Sequence, residues 1–174
     1  MPGIEHRPKG AARRRIFLPA APAGFEPAGF DLAGISQAAS AAGGDYFDFL
    51  PILNDRWAIA VGDVTGHGIG PALLMAETRA YLRALAQTHE DVAAVLTAAN
   101  RVLVEDIGAE RFITMLLVGL DPARRVLSFV NAGHPAGYVL DAQGQIKSTL
   151  RRTGVPLGVR SDTVYPSAPS VPLA

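Results

Sequence analysis

The chain has 174 residues, about the size of one domain, and 49% of them are apolar, enough for a hydrophobic core. Its 16 basic and 16 acidic residues cancel, which argues against a dedicated nucleic-acid binder. It has no cysteine, so disulfides, zinc–thiolate sites and thiol catalysis are excluded. Apolar runs such as Ile113 to Leu120 fall far short of the ~18 residues that span a bilayer, so no membrane contact is expected.

The charge is uneven along the chain. Residues 1–15 hold Arg7, Lys9, Arg13, Arg14 and Arg15 against the single acid Glu5. This basic start lacks the apolar stretch of a signal peptide, so a cytoplasmic location is expected. The arm reads as a disordered tail, with a linker from an upstream sensor domain or an anionic contact as the sharper alternative. Asp31 to Ser36 can form a strand, and 38–44 is a small-residue loop. Tyr46 to Leu53 and Trp57 to Gly62 read as a hairpin around Asn54-Asp55, delivering Asp45 and Asp63 at adjacent ends.

A glycine loop, Gly66-His67-Gly68-Ile69-Gly70, leads into Pro71, which suits the first turn of a helix. Leu74, Thr78, Tyr81, Leu82 and Leu85 recur at helical spacing, with Glu77, Arg83 and Gln87 on the other face. A second helix starts near Glu90-Asp91, acids suited to the positive end of the helix dipole. Its stripe is Val92, Val95, Leu96, Ala99 and Leu103, and it ends before Gly108. Strands follow over 111–120, 126–131 and 136–140, with turns at Asp121-Pro122 and at 141–144. Strands, two consecutive helices, then strands imply α+β with antiparallel sheets and no internal repeat.

Two segments carry the chemistry: Gly43-Gly44-Asp45-Tyr46-Phe47-Asp48 and Gly62-Asp63-Val64-Thr65-Gly66-His67-Gly68. A carboxylate at the end of a buried strand is costly unless something pairs it, and neither segment contains Lys or Arg. A divalent metal would serve, and carboxylate and carbonyl oxygens suit Mg²⁺ or Mn²⁺. Turn glycines with solvated aspartates are the plainer alternative. Gly66-x-Gly68-x-Gly70 before a helix could instead cradle a phosphate, but no Lys-Ser/Thr follows it. His67 and His134 sit in glycine-flanked loops, where hydrogen bonding is the commoner role, and Gly133-His134-Pro135 is expected to shape a turn.

Four ordered motifs carry a resemblance: Gly43 to Asp48, Val61 to Met75, Arg111-Phe112-Ile113-Thr114, and Val130-Asn131-Ala132-Gly133-His134-Pro135. Together they resemble the SpoIIE/RsbU-type branch of the PPM metal-dependent serine/threonine phosphatases, over residues 16–174. Gly154 to Gly158 fits the family's late turn. The resemblance implies an antiparallel β-sandwich with flanking helices (αββα) and two Mn²⁺ or Mg²⁺ ions. It makes Asp45 and Asp63 metal ligands acting through metal-bound water, adds the Val64 backbone carbonyl, and offers Asp48 as a weaker ligand through water. It also implies a regulatory switch element over about Pro71 to Asp106. The implied substrate is a phosphoserine or phosphothreonine on a STAS-type anti-sigma-factor antagonist, and regulators of this type often work as homodimers.

One departure matters. The family carries later metal-binding aspartates, one in an Asp-Gly motif, and this sequence has no Asp-Gly dipeptide. The domain is therefore expected to be incomplete at its C-terminus, lacking its last strands. A catalytically impaired or non-catalytic, partner-binding phosphatase-like domain is the alternative function.

Overall fold

A computed structural model describes residues 29–30, 32–34, 44–108 and 111–173. The basic arm lies outside these residues, as do Asp31, Ile35 and Ser36 of the expected first strand; 32–34 carry no strand.

The hairpin forms as expected. Strands β1 (Tyr46–Ile52) and β2 (Arg56–Val64) pair antiparallel, Tyr46 opposite Gly62 through Ile52 opposite Arg56. Positive φ at Asn54 and Asp55 (62° and 53°) reverses the chain between them. Strand β2 runs past Gly62, so Asp63 is a strand residue and not the first loop residue.

Helix α1 (Ile69–Ala86) buries Pro71, Leu74, Met75, Thr78, Leu82 and Ala86. Of the stripe its spacing predicts, Leu74, Thr78 and Leu82 are buried, and Tyr81 and Leu85 are only partly buried against the same core. Helix α2 (Val92–Asp106) buries Val92, Val95, Leu96, Ala99 and Leu103. Asp91 caps α2 by accepting the Ala93 N–H at 3.2 Å. Its neighbour Glu90 instead pairs with Arg56 at 2.9 Å, joining the helix start to the hairpin.

Strands β3 (Ile113–Asp121) and β4 (Val126–Ala132) extend the sheet. The hairpin β5 (Gly137–Leu140) and β6 (Ile146–Leu150) forms a second, two-stranded sheet. A short strand β7 (Val171–Pro172) completes the main sheet in the order β1-β2-β3-β4-β7. Neither β6 nor β7 was legible as a strand: β6 is mostly polar and exposed, and β7 has two residues.

Strand alternation divides the main sheet into two apolar faces. Leu50, Ala58, Ala60, Val64, Ile113, Met115, Leu117 and Val130 pack with the helices. Leu116, Val118 and Phe129 pack with Val139 and Leu150 of the small sheet. Strand β3 is covered on both sides, so its sequence Ile-Thr-Met-Leu-Leu-Val reads as a nearly continuous apolar run. Among the described residues, the two helices share one outer layer and the small sheet forms the other.

Candidate metal centre

The register places the aspartates. Extending the β1–β2 ladder one step beyond Tyr46–Gly62 sets Asp45 opposite Asp63. The next step is made by the Val64 N–H, which donates to the Gly44 carbonyl at 3.4 Å. On its other side Asp63 pairs with Thr114 of β3. One step past the Met115–Ala132 pair, Thr114 faces Gly133. Asp45, Asp63, Thr114 and Gly133 therefore form one rung across four consecutive chain segments. Alternation turns this rung toward the side of the small sheet, with Leu116 and Val118.

Gly44 is required by close approach. A Cβ there would lie 2.6 Å from the Val64 carbonyl oxygen and 3.0 Å from Asp63 Oδ1. Gly133 turns the chain after β4 with φ 73°, and a Cβ there would strike Pro156 at 2.7 Å. His134 follows. Its backbone N–H donates to Asn131 Oδ1 at 2.8 Å, and its Nδ1 lies 2.9 Å from Thr114 Oγ1. The Thr114 hydroxyl also donates to the Asp63 carbonyl at 3.4 Å.

Loss of solvent raises the Asp63 carboxyl above the ordinary aspartate range, and the negative charge of Asp45 raises it further. His134 and the Val64 backbone N–H oppose that rise. Burial lowers the His134 imidazole, against the pull of Asp63 and Asp45. Two carboxylates thus face each other, and neither forms an ion pair among the described residues. The donor chemistry and the glycine-permitted approach fit a hard divalent cation. Among the described residues, no group of three or more acidic or histidine side chains stands ready to hold a metal.

Asp48 is placed elsewhere. It lies on the helix face of β1 and is fully buried, with both oxygens engaged by Arg83 at 2.7 Å. The structure does not bring it together with Asp45 and Asp63. Arg83, assigned to the solvent side of α1 from its spacing, turns back to meet it. His67 is exposed in the glycine loop. Thr114 and Asn131 are site residues that the sequence left without a role, and His134, expected to hydrogen-bond and shape a turn, joins them at the site. All three stood in the quoted motifs, but their convergence depends on β3 and β4 pairing.

The family model for Stage II sporulation protein E (SpoIIE) matches residues 54–171. The chain belongs to the SpoIIE family. Among curated SpoIIE-like relatives, the phosphoserine phosphatase RsbU of Bacillus subtilis (strain 168) is 30% identical over 134 residues, 77% of this chain and 40% of RsbU. The phosphoserine phosphatase RsbP of the same organism is 31% identical over 137 residues, 76% of this chain and 34% of RsbP. The chain thus spans well under half the length of these relatives. Among solved structures, the RsbU and RsbW domains of Rv1364c from Mycobacterium tuberculosis superpose with a TM-score of 0.66 at 32% identity. That match covers 80% of this chain and 39% of the other. The α+β antiparallel fold expected for the SpoIIE family is the fold observed.

Proposed function

We propose that residues 16–174 form a phosphatase domain that hydrolyses phosphoserine or phosphothreonine on a regulatory protein, with residues 1–15 as a basic arm. The observation that carries this reading is Asp45 facing Asp63 across the hairpin, in a chain 30% identical to a phosphoserine phosphatase. Asp45 and Asp63 are assigned as metal ligands, with the Val64 backbone carbonyl beside them. Two Mn²⁺ or Mg²⁺ ions, when bound, would activate water and offset the charge of the phosphoryl oxygens. Gly44 keeps the space between the carboxylates and the Val64 carbonyl open. Thr114 holds the Asp63 main chain and orients His134 through Nδ1. Asn131 fixes the His134 backbone, so the imidazole stays beside the carboxylates.

The proposed substrate is a phosphorylated STAS-type protein of a partner-switching system. An upstream sensor domain, a homodimer and a cytoplasmic location belong to the same reading. Among the described residues, no helix is long and apolar enough to cross a membrane.

A second reading, a partner-binding domain with impaired turnover, is favoured by a donor set that, among the described residues, has two side-chain carboxylates. One assay separates the two: p-nitrophenyl phosphate hydrolysis with and without Mn²⁺, in the wild type and in Asp45→Ala and Asp63→Ala. The phosphatase reading expects Mn²⁺-dependent turnover that both substitutions abolish. Metal-independent turnover, or turnover unchanged in both variants, overturns it. Mn²⁺ binding by calorimetry without turnover selects the second reading.

A further inference from the structure

His134 is held by its backbone and by one ring nitrogen, while the other ring nitrogen is left open. Its N–H donates to Asn131 Oδ1 at 2.8 Å. Asn131 is itself fixed. Its Nδ2 donates to the Leu150 carbonyl at 3.1 Å, and its own carbonyl accepts the Thr153 and Gly154 N–H groups at 2.9 and 3.1 Å. On the ring, Nδ1 lies 2.9 Å from Thr114 Oγ1. Nε2 has no hydrogen-bond partner among the described residues and is not shut off from solvent.

The proton count at this contact selects a tautomer. The Thr114 hydroxyl carries one proton and donates it to the Asp63 carbonyl at 3.4 Å, so toward His134 its oxygen is an acceptor. The proton between the two side chains then belongs to Nδ1. A neutral imidazole carries one N–H, which leaves a lone pair on Nε2. In this form the hydroxyl proton and the ring proton both have acceptors. In the reverse form a proton on Nε2 has none within hydrogen-bond distance among the described residues. Burial favours the neutral ring, against the pull of Asp63 and Asp45. Those two carboxylates act on the ring through their charge but do not hydrogen-bond to it, a spacing that suits an intervening water. Asp45, Asp63 and Nε2 are all acceptors, and water supplies the donors they lack.

We propose that Thr114 fixes His134 as the Nδ1–H tautomer, so that Nε2 accepts a hydrogen bond from a water held between the ring and the Asp45–Asp63 pair. What that water does rests on the phosphatase reading, in which His134 orients water at the centre and Thr114 is the positioning residue behind it. The tautomer itself is read without turnover.

The test is nitrogen-15 NMR of the full chain with labelled histidine, in Mg²⁺ and at pH about 8, above the ordinary imidazole range. The His134 signals are assigned by their loss in His134→Ala. Wild-type Nδ1 should resonate as a protonated nitrogen and Nε2 as a bare one. Thr114→Val, similar in shape but without the hydroxyl, should move the ring toward the Nε2–H form, and Thr114→Ser should restore it. Mn²⁺-dependent turnover of p-nitrophenyl phosphate should fall about 100-fold in His134→Ala and about 10-fold in Thr114→Val, with recovery in Thr114→Ser. Wild-type His134 protonated on Nε2 overturns the proposal, and that spectrum decides even where Thr114→Val does not fold. So does a tautomer that Thr114→Val leaves unchanged, or turnover that survives His134→Ala intact. An Nδ1–H ring in a wild type without Mn²⁺-dependent turnover retains the lock and rejects the phosphatase reading. Mn²⁺-dependent turnover with an Nε2–H ring does the reverse.

Discussion

Arg83 grips Asp48 through two hydrogen bonds, Nε to Oδ2 and Nη2 to Oδ1, each 2.7 Å. Tyr46 adds its hydroxyl at 3.1 Å, and Arg79 Nε approaches to 3.3 Å. Burial raises the Tyr46 phenol far above its ordinary pKa, and the Asp48 charge raises it further, so it stays a donor. The cluster fastens α1 to β1, the elements that follow the Asp63 loop and Asp45. Replacing Arg83 by alanine should leave a buried carboxylate with only Arg79 for charge. The expected loss is about 2–4 kcal/mol, below that of a wholly buried pair because the Arg83 side chain is 38% exposed. Urea unfolding measures it, and a loss under about 0.5 kcal/mol would place the pair among surface salt bridges.

Gly44→Ala should damage the candidate centre directly. The new methyl meets the Val64 backbone oxygen at 2.6 Å, and backbone cannot rotate away. Overpacking of this kind costs about 1–3 kcal/mol. Mn²⁺ affinity by calorimetry should fall together with the melting temperature. Alanine tolerated with both values intact would show that the two segments are not held as closely as described.

Asn131 is fully buried, and its side chain serves the His134 N–H and the Leu150 carbonyl. Asn131→Leu has similar bulk but offers neither bond, stranding one donor and one acceptor at about 1–3 kcal/mol each. Beyond the stability loss, the His134 resonances in an NMR spectrum should shift. An unshifted His134 would mean that Gly133 and Thr114 suffice to place the ring.

Asn100 plays the matching part on α2. It is fully buried, donating to the Arg160 carbonyl at 2.8 Å and accepting the Gly158 N–H at 2.9 Å. Asn100→Ala should cost about 1–3 kcal/mol and open the 158–160 segment. Hydrogen exchange reads this as lost protection of the Gly158 amide, and retained protection there would refute the tie.

The two aspartates were legible because their meeting is a local event. A short hairpin with a strong turn brings Asp45 to Asp63, and the pairing follows from the chain between them. Asp48 shows the limit of motif reading. Strand alternation already puts it on the opposite face from Asp45, and the partner that occupies it lies 35 residues away on α1. Helical spacing assigned Arg83 to the outer face, because its long side chain can reach back to a charge that spacing does not reveal.

By itself the sequence determined the local, periodic features: the hairpin, the apolar stripes of α1 and α2, the long strand β3 and the pair of opposed carboxylates. Each follows from neighbouring residues through alternation, helical repeat and turn chemistry. Only the tertiary structure decided what depends on distant segments meeting. It directed Asp48 to Arg83, brought Thr114 and His134 to the Asp63 rung, and made buried Asn131 the anchor of the 150–154 segment. Buried polar groups must find partners wherever the fold supplies them, and sequence distance does not record where that is.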